Sequence, residues 1–206
     1  ALINGKLYPS GGYDGSSHSN KLYMTDLNPV TAFSAGGDHS RFVQADGSLW
    51  AMGRNHVGQI GDGTTTDRPG PVKVVDSGVA DVESGLSHGY YLTTGGDLWS
   101  MGSNADGQLG DGTTTDRSSP VQVLNGSNVN QVSAGSKEGF FTKTDGTTWS
   151  MGRNDEEQLG NGSTTDVSTP ARLFTWKQNQ SISQPRKVYS GAELLNGKIY
   201  LAGGFD

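Results

Sequence analysis

The sequence predicts an all-β fold, a β-propeller built of four-stranded antiparallel blades, and two observations carry that prediction. Trp50, Trp99 and Trp149 stand 49 and 50 residues apart, each inside the same passage: LWAMGRNHVGQIGDGTTTDR, LWSMGSNADGQLGDGTTTDR, TWSMGRNDEEQLGNGSTTDV. A repeating unit of this size cannot bury its apolar face alone and stacks on its neighbours. Within each copy, short two-residue alternations separated by Gly, Asn and Asp turns give four strands. Four-stranded units arranged radially are propeller blades.

The elements follow in order. The first unit opens near Val30–Gly36, turns at Gly37 and resumes as His39–Gln44. Ala45-Asp46-Gly47-Ser48 is a tight turn, Leu49–Gly53 carries Trp50 and Met52 on alternate sides from Leu49 and Ala51, and a long polar loop, Arg54 to Gly70, leads to Pro71–Val75. The second unit repeats this as Asp81–Gly85, His88–Thr93, Asp97–Gly102 and Pro120–Leu124; the third as Gln131–Gly135, Gly139–Thr144, Thr147–Gly152 and Pro170–Phe174. The one extra residue of the later period falls in Asn125–Asn130, a connection where insertion costs little.

The chain ends carry a related signature. LINGKLYPSGGYD over 2–14 returns as LLNGKIYLAGGFD over 194–206, an offset of 192 positions and close to four blade lengths. Asn4-Gly5 and Asn196-Gly197 read as hairpin turns, since Asn and Gly accept positive φ cheaply. Three complete blades plus partial blades at both ends make about four to five blade equivalents in one propeller domain or segment, with the two ends pairing to close a ring, two chains sharing one, or the missing strands lying in a longer parent. The boundaries are a part blade over 1–31, blades over 32–78, 79–127 and 128–175, and a part blade over 176–206.

On the elements SAGG, DGSLW, Met-Gly before the loop and GQIGDGTTTDR, the passage from about Ala32 to Phe174 resembles the bacterial form of the regulator of chromosome condensation repeat. The flanks resemble kelch repeats through Gly11-Gly12, Gly203-Gly204, Tyr23 and Trp176. Both resemblances imply a propeller and leave function open, because both folds serve many roles.

Composition agrees with the class and narrows the partners. Gly makes up 32 of 206 residues, about twice the usual ~7%, as many tight turns require. Aromatic residues in phase with turns argue against the disorder that 32% apolar content raises. A net charge of −6 with no Lys/Arg run repels phosphate backbones, so no nucleic-acid partner is expected. No stretch is long enough to insert in a membrane, and zero cysteines remove disulfides and thiolate metal sites. With no initiating Met and no signal peptide, the chain reads as an excised or processed segment, and resemblance to bacterial repeat proteins implies an extracellular or cell-envelope location.

The search for chemistry returns little. His39 and His88 occupy one repeat position, where the third unit has Glu138, and read as turn residues hydrogen-bonding between strands. No GxSxG elbow, HExxH or P-loop is present, so neither an enzyme nor a cofactor is expected. The GDGTTTD and GNGSTTD segments carry oxygens that could hold a hard cation, but Asp and Thr there more often cap their own backbone, and no metal site is assigned. The tryptophans read as core packing between blades in preference to stacking platforms for sugars.

Function is sought where the copies differ. Met52/Met101/Met151, Gln59/Gln108/Gln158 and Gly61/Gly110/Gly160 do not vary, whereas the runs RNHVG, SNADG and RNDEE after each tryptophan strand share Asn and otherwise change charge and size. The candidate ligand-binding positions are Arg54, His56, Ser103, Asp106, Arg153, Asp155, Glu156 and Glu157 from these runs, with Arg41 and Tyr90 from a second variable turn set. A rim mixing these side chains suits a protein partner on a non-catalytic scaffold; a glycan on a lectin-like propeller is the alternative, guanine nucleotide exchange a third reading, and homo-oligomerisation through unpaired terminal blades a further expectation.

Overall fold

The computed structural model describes residues 28–173 and the backbone of four short strands beyond them. β1 (Leu2–Ile3) pairs antiparallel with β2 (Lys6–Leu7), and β15 (Ala192–Leu195) with β16 (Lys198–Leu201). The turns expected at Asn4-Gly5 and Asn196-Gly197, the glycine pairs Gly11-Gly12 and Gly203-Gly204, Tyr23 and Trp176 lie outside the described residues.

Between these pairs stand three four-stranded antiparallel sheets. Blade 1 is β3 (Val30–Ala35), β4 (His39–Gln44), β5 (Leu49–Gly53) and β6 (Arg68–Val75); blade 2 is β7 (Val79–Ser84), β8 (His88–Thr93), β9 (Leu98–Gly102) and β10 (Arg117–Gln122). Blade 3 is β11 (Val129–Ala134), β12 (Glu138–Lys143), β13 (Thr148–Gly152) and β14 (Val167–Arg172). In each sheet the strands lie in chain order. β7 packs against β3 and β4, and β11 against β7 and β8, so the first strands gather at the hub and the sheets fan outward. No helix occurs among the described residues.

Period-two alternation sends one side of each sheet to the neighbour behind and the other to the neighbour ahead. Val43 and Leu49 on the forward face of blade 1 meet Val82, Tyr91 and Met101 on the rear face of blade 2. One blade further on, Tyr90, Leu92, Leu98 and Val123 meet Val132, Phe141 and Met151. Each such side chain contributes about 1.5–3 kcal/mol on burial, so the core is a pair of inter-blade seams.

Two expectations are corrected. The fourth strands start at Arg68, Arg117 and Val167, ahead of the prolines taken as their openings, because Arg68, Arg117 and Val167 already pair with Gly53, Gly102 and Gly152 across a bulge. An outer strand tolerates proline where its N–H would face solvent. The indoles are half-buried and not wedged wholly between blades: Trp50, Trp99 and Trp149 lie parallel over their cross-strand partners Phe42, Tyr91 and Phe141, with ring centroids 6.3, 6.1 and 6.1 Å apart. Trp99 and Trp149 pack against the seams as partly buried side chains.

Candidate functional site

The variable runs converge because of where each blade turns. Gly36-Gly37, Gly85-Leu86 and Gly135-Ser136 close the connections between first and second strands, with Gly36, Gly85 and Gly135 donating to the carbonyls of His39, His88 and Glu138. Adjacent turns are joined in a row, Gly37 N–H to the Leu86 carbonyl and Leu86 N–H to the Ser136 carbonyl, both at 3.2 Å. Together they line an open depression of about 340 Å³ with Ala35, Ser84 and Ala134. Leu86 stands in it 52% exposed. Its position holds Gly37 and Ser136 in the sister copies, a difference between copies that marks it in the sequence.

The long loops begin on this same face. Arg54, Ser103 and Arg153 donate their N–H groups to the carbonyls of Asp38, Ser87 and Lys137, the residues directly after the hub turns, at 2.8, 2.9 and 3.0 Å. Of the ten candidates, Arg54, Ser103 and Arg153 thus sit beside the hub turns, and Asp106 reaches Lys137, directly after the turn of blade 3; His56, Asp155, Glu156 and Glu157 follow as exposed side chains of the same loops. Their charges are locally paired: Arg54 with Asp38 at 3.2 Å, His56 with Asp67 at 3.3 Å, Arg153 with Asp155, and Lys137 of blade 3 with Asp106 of blade 2 at 3.2 Å. Such exposed pairs contribute little stability; what they fix is where each sign is displayed.

The other two candidates are not on the rim. Arg41 and Tyr90 are buried, because they lie inside β4 and β8, whose bounds are those expected from the sequence, and strand alternation points them into the seams instead of leaving them in a turn. The Arg41 guanidinium donates to the Gln59 carbonyl, to Ser84 Oγ at 3.1 Å and to the Glu83 and His88 carbonyls at 3.4 Å. Tyr90 Oη donates to the Gln108 carbonyl at 2.5 Å. One position thus does the same task twice, pinning the long loop of its blade at the seam with the next. Burial lowers the Arg41 pKa to about 9, which leaves it charged at neutral pH.

His39 and His88 are also corrected. Both are buried with neither ring nitrogen in a hydrogen bond. Burial first, then the Arg41 charge, lowers both to about 3, outweighing the opposing pull of the His88 and Glu138 carbonyls. They are neutral packing residues beneath the hub turns, where a Cβ at Gly36 would fall 2.7 Å from His39 Nδ1.

The Asp and Thr oxygens of the long loops are engaged internally. Asp62 accepts from Thr64 N–H at 3.0 Å, Thr64 Oγ1 at 2.7 Å, Asn55 Nδ2 at 3.3 Å and Arg68 Nε, and Asp111 repeats the pattern with Thr113, Asn104 and Arg117. In blade 3 the Asp becomes Asn161 and the Arg becomes Val167, so carboxylate and guanidinium leave together. That joint change couples the carboxylate to its arginine. Among the described residues no cluster of three His, Cys, Asp or Glu groups is placed to hold a metal.

The shared Asn of the variable runs is the loop's anchor, a role sequence reasoning missed. Asn55, Asn104 and Asn154 are fully buried. Each accepts at Oδ1 from Ile60, Leu109 or Leu159 N–H at 2.9 Å and donates Nδ2 to carbonyls nine and eleven residues on.

Three stretches, residues 46–92, 95–140 and 145–193, match the family model of the regulator of chromosome condensation (RCC1) repeat, and a second model of that repeat matches 30–59 and 79–108. The chain belongs to the RCC1 repeat family. The first of these stretches starts in the β4–β5 turn and runs through β8, so a family repeat straddles a seam. Among solved structures, human WBSCR16 is similar at 29% identity and a TM-score of 0.64 over 72% of this chain and 40% of its own. Yeast RCC1 (Prp20), solved bound to Kap60, matches at 20% identity and a TM-score of 0.64 over 71% of this chain and 37% of its own. Prp20p of Saccharomyces cerevisiae, described with its binding properties to Gsp1p and histones, gives 22%, 0.62, 71% and 39%. The chain spans about two fifths of the length of each of these relatives.

Proposed function

We propose that this chain is a non-catalytic propeller scaffold that binds a protein partner through the face centred on Leu86. One observation carries the reading: an exposed leucine, Leu86, stands in the depression between the hub turns, and the variable loop of each blade starts from a residue bonded directly after those turns. An apolar centre ringed by alternating charges has the anatomy of a polar protein interface. The solved relatives whose titles name Kap60, Gsp1p and histones support a protein as the class of partner. Eukaryotic-type histone or nucleotide-exchange partners are weaker candidates, since neither comparison rises above 25% identity. The repeated NGK and Gly-Gly motifs support kelch-like part blades over 1–31 and 176–206, in a bacterial surface or secreted repeat protein.

A display library screened against the full chain tests this. Binders should lose at least about tenfold in affinity to Leu86→Glu and to Arg153→Glu, as substitutions at an interface centre do, with the melting transition unchanged. Binding insensitive to both would place the interface elsewhere. Binding on a glycan array that free sugar abolishes would favour the lectin reading, and accelerated nucleotide release across a small-GTPase panel the exchange reading.

A further inference from the structure

Each blade carries a row of side chains across the rear face of its last three strands, paired residue to residue. The row is Phe42, Trp50 and Lys73 in blade 1, Tyr91, Trp99 and Gln122 in blade 2, and Phe141, Trp149 and Arg172 in blade 3. Residues directly opposite across a strand pair share a face and touch. In two of the three rows the indole also holds an ammonium group: Lys73 Nζ stands 5.7 Å from the Trp50 ring centroid, and Lys143 Nζ, from the end of β12, 4.9 Å from that of Trp149. Both lie inside the ~6 Å reach of a cation–π contact. Blade 2 has Gln122 where blade 1 has Lys73, and Thr93 where blade 3 has Lys143. Among the described residues no cation lies over Trp99.

The edge of the indole differs in the same blade. Trp50 and Trp149 donate Nε1–H to Ser48 Oγ and Thr147 Oγ1, both at 2.9 Å, and these hydroxyls donate in turn to the turn carboxylates of Asp46 and Asp145 at 2.6 and 2.7 Å. Blade 2 has Gly95 in the place of the turn acid and Asp97 in the place of the hydroxyl. Two residues before Trp99, Asp97 lies on the same side of the extended chain. Its backbone N–H is bonded to Thr93 Oγ1 at 2.9 Å, and among the described residues its carboxylate accepts no hydrogen bond and Trp99 Nε1 donates none. Trp99 and Asp97 are half-buried and Gln122 is exposed, so solvent reaches all three.

We propose that Trp99 and Asp97 of blade 2 form a binding site for a cation supplied from outside the fold, the lysine or arginine side chain of a protein partner. What the sister rows hold within the chain, this row takes from another molecule. The indole face attracts an ammonium or guanidinium group, the Asp97 carboxylate adds a charge contact at the indole edge, and a net charge of −6 draws a basic segment toward the chain. A sugar ring also stacks on an indole, but the group that the two sister rows place over theirs is an ammonium. The site is separate from the hub, because the β8–β9 turn that carries Asp97 closes the other end of β8 from Leu86.

The indole N–H resonances of the nitrogen-15-labelled full chain read the proposal directly. Titration with n-butylammonium or n-butylguanidinium chloride should shift the Trp99 Nε1–H signal saturably and leave those of Trp50 and Trp149 in place, whereas n-butanol and sodium chloride at matched concentration should shift none of them. Gln122→Lys, which copies blade 1 at an exposed position, should abolish the Trp99 response by filling the site from within. Asp97→Asn should weaken the apparent affinity by about threefold, as loss of a partly exposed charge contact does. Leu86→Glu should leave the response intact, so failure of the hub interface and failure of this site are told apart. A Trp99 signal that does not move, that moves equally with butanol, that moves with N-acetylglucosamine in preference to the cations, or that responds unchanged in Gln122→Lys would overturn the proposal. The wild-type titration needs no variant, so a substitution that fails to fold leaves the test standing.

Discussion

His39 and His88 make acid sensitivity a property of two side chains. Their pKa is lowered to about 3 in the fold against 6.5 when exposed, so the sign is fixed. Above pH 6.5 neither state binds the protons and the histidines contribute nothing; below it the unfolded chain takes two protons that the fold refuses, and stability falls until about pH 3. Each group accounts for up to about 1.4 kcal/mol per pH unit, so urea unfolding at pH 5 should report about 3–4 kcal/mol less stability than at pH 7. The paired carboxylates Asp62 and Asp111, held below the usual range, act only at lower pH. His39→Gln should roughly halve the slope between pH 6.5 and 5, and an unchanged slope would remove the histidines as its cause. Arg41 gives a second test at this scale. Arg41→Ala leaves several buried carbonyls without a donor and should cost about 2–4 kcal/mol, whereas Arg41→Tyr copies blade 2 and should recover most of it. Thermal melts of the two variants that coincide would show that the seam needs bulk and not a donor.

At the scale of the element, the long loop is held by one buried Asn and, in blades 1 and 2, by a carboxylate matched to an arginine. Asp111 is 3% exposed at its side chain and bridges to Arg117 at 2.7 Å. Arg117→Val alone strands that carboxylate and should cost about 2–3 kcal/mol, whereas the double change Asp111→Asn with Arg117→Val, which reproduces blade 3, should cost less than the sum of the single changes by about 1 kcal/mol or more. Additive losses in denaturant unfolding would mean the two side chains act separately. The three blades and most strand positions were legible in the sequence, because alternation and turn residues are local signals repeated three times. What stayed illegible is set by neighbours distant in sequence. Arg41 and Tyr90 look like exposed turn residues until the long loop of their own blade supplies a carbonyl acceptor and Gly89 and Gly139 of the adjacent blade leave room for their heads. The role of Asn104 depends on carbonyls nine and eleven residues away meeting one amide. The starts of the variable loops, Arg54, Ser103 and Arg153, lie beside the hub turns because hub turn and loop start are bonded together in every copy.

Across the whole molecule, stability should be graded by position in the block rather than uniform. Stacked repeats draw their stability from interfaces with nearest neighbours, and among the described residues blade 2 alone has both faces in apolar seams: Val82, Tyr91 and Met101 behind, Tyr90, Leu92 and Leu98 ahead. Blade 1 presents Phe33 outward, and blade 3 presents a Thr142–Thr148 pair in which Thr142 Oγ1 is buried without a partner. Among the described residues each outer blade therefore has one seam fewer, and it should open first. Native-state amide exchange should find the β8–β9 amides, such as Tyr91 and Ser100, opening with about 1–2 kcal/mol more free energy than their equivalents Phe42 and Ala51 or Phe141 and Ser150. Adding urea should merge the three classes only near the midpoint, since partial openings expose less surface than global unfolding and respond less steeply to denaturant. A single opening free energy for all nine strands from β3–β5, β7–β9 and β11–β13 would mean that the block unfolds as one unit. In that case cooperativity would have to come from contacts other than the two seams, and the graded order argued from them would be wrong.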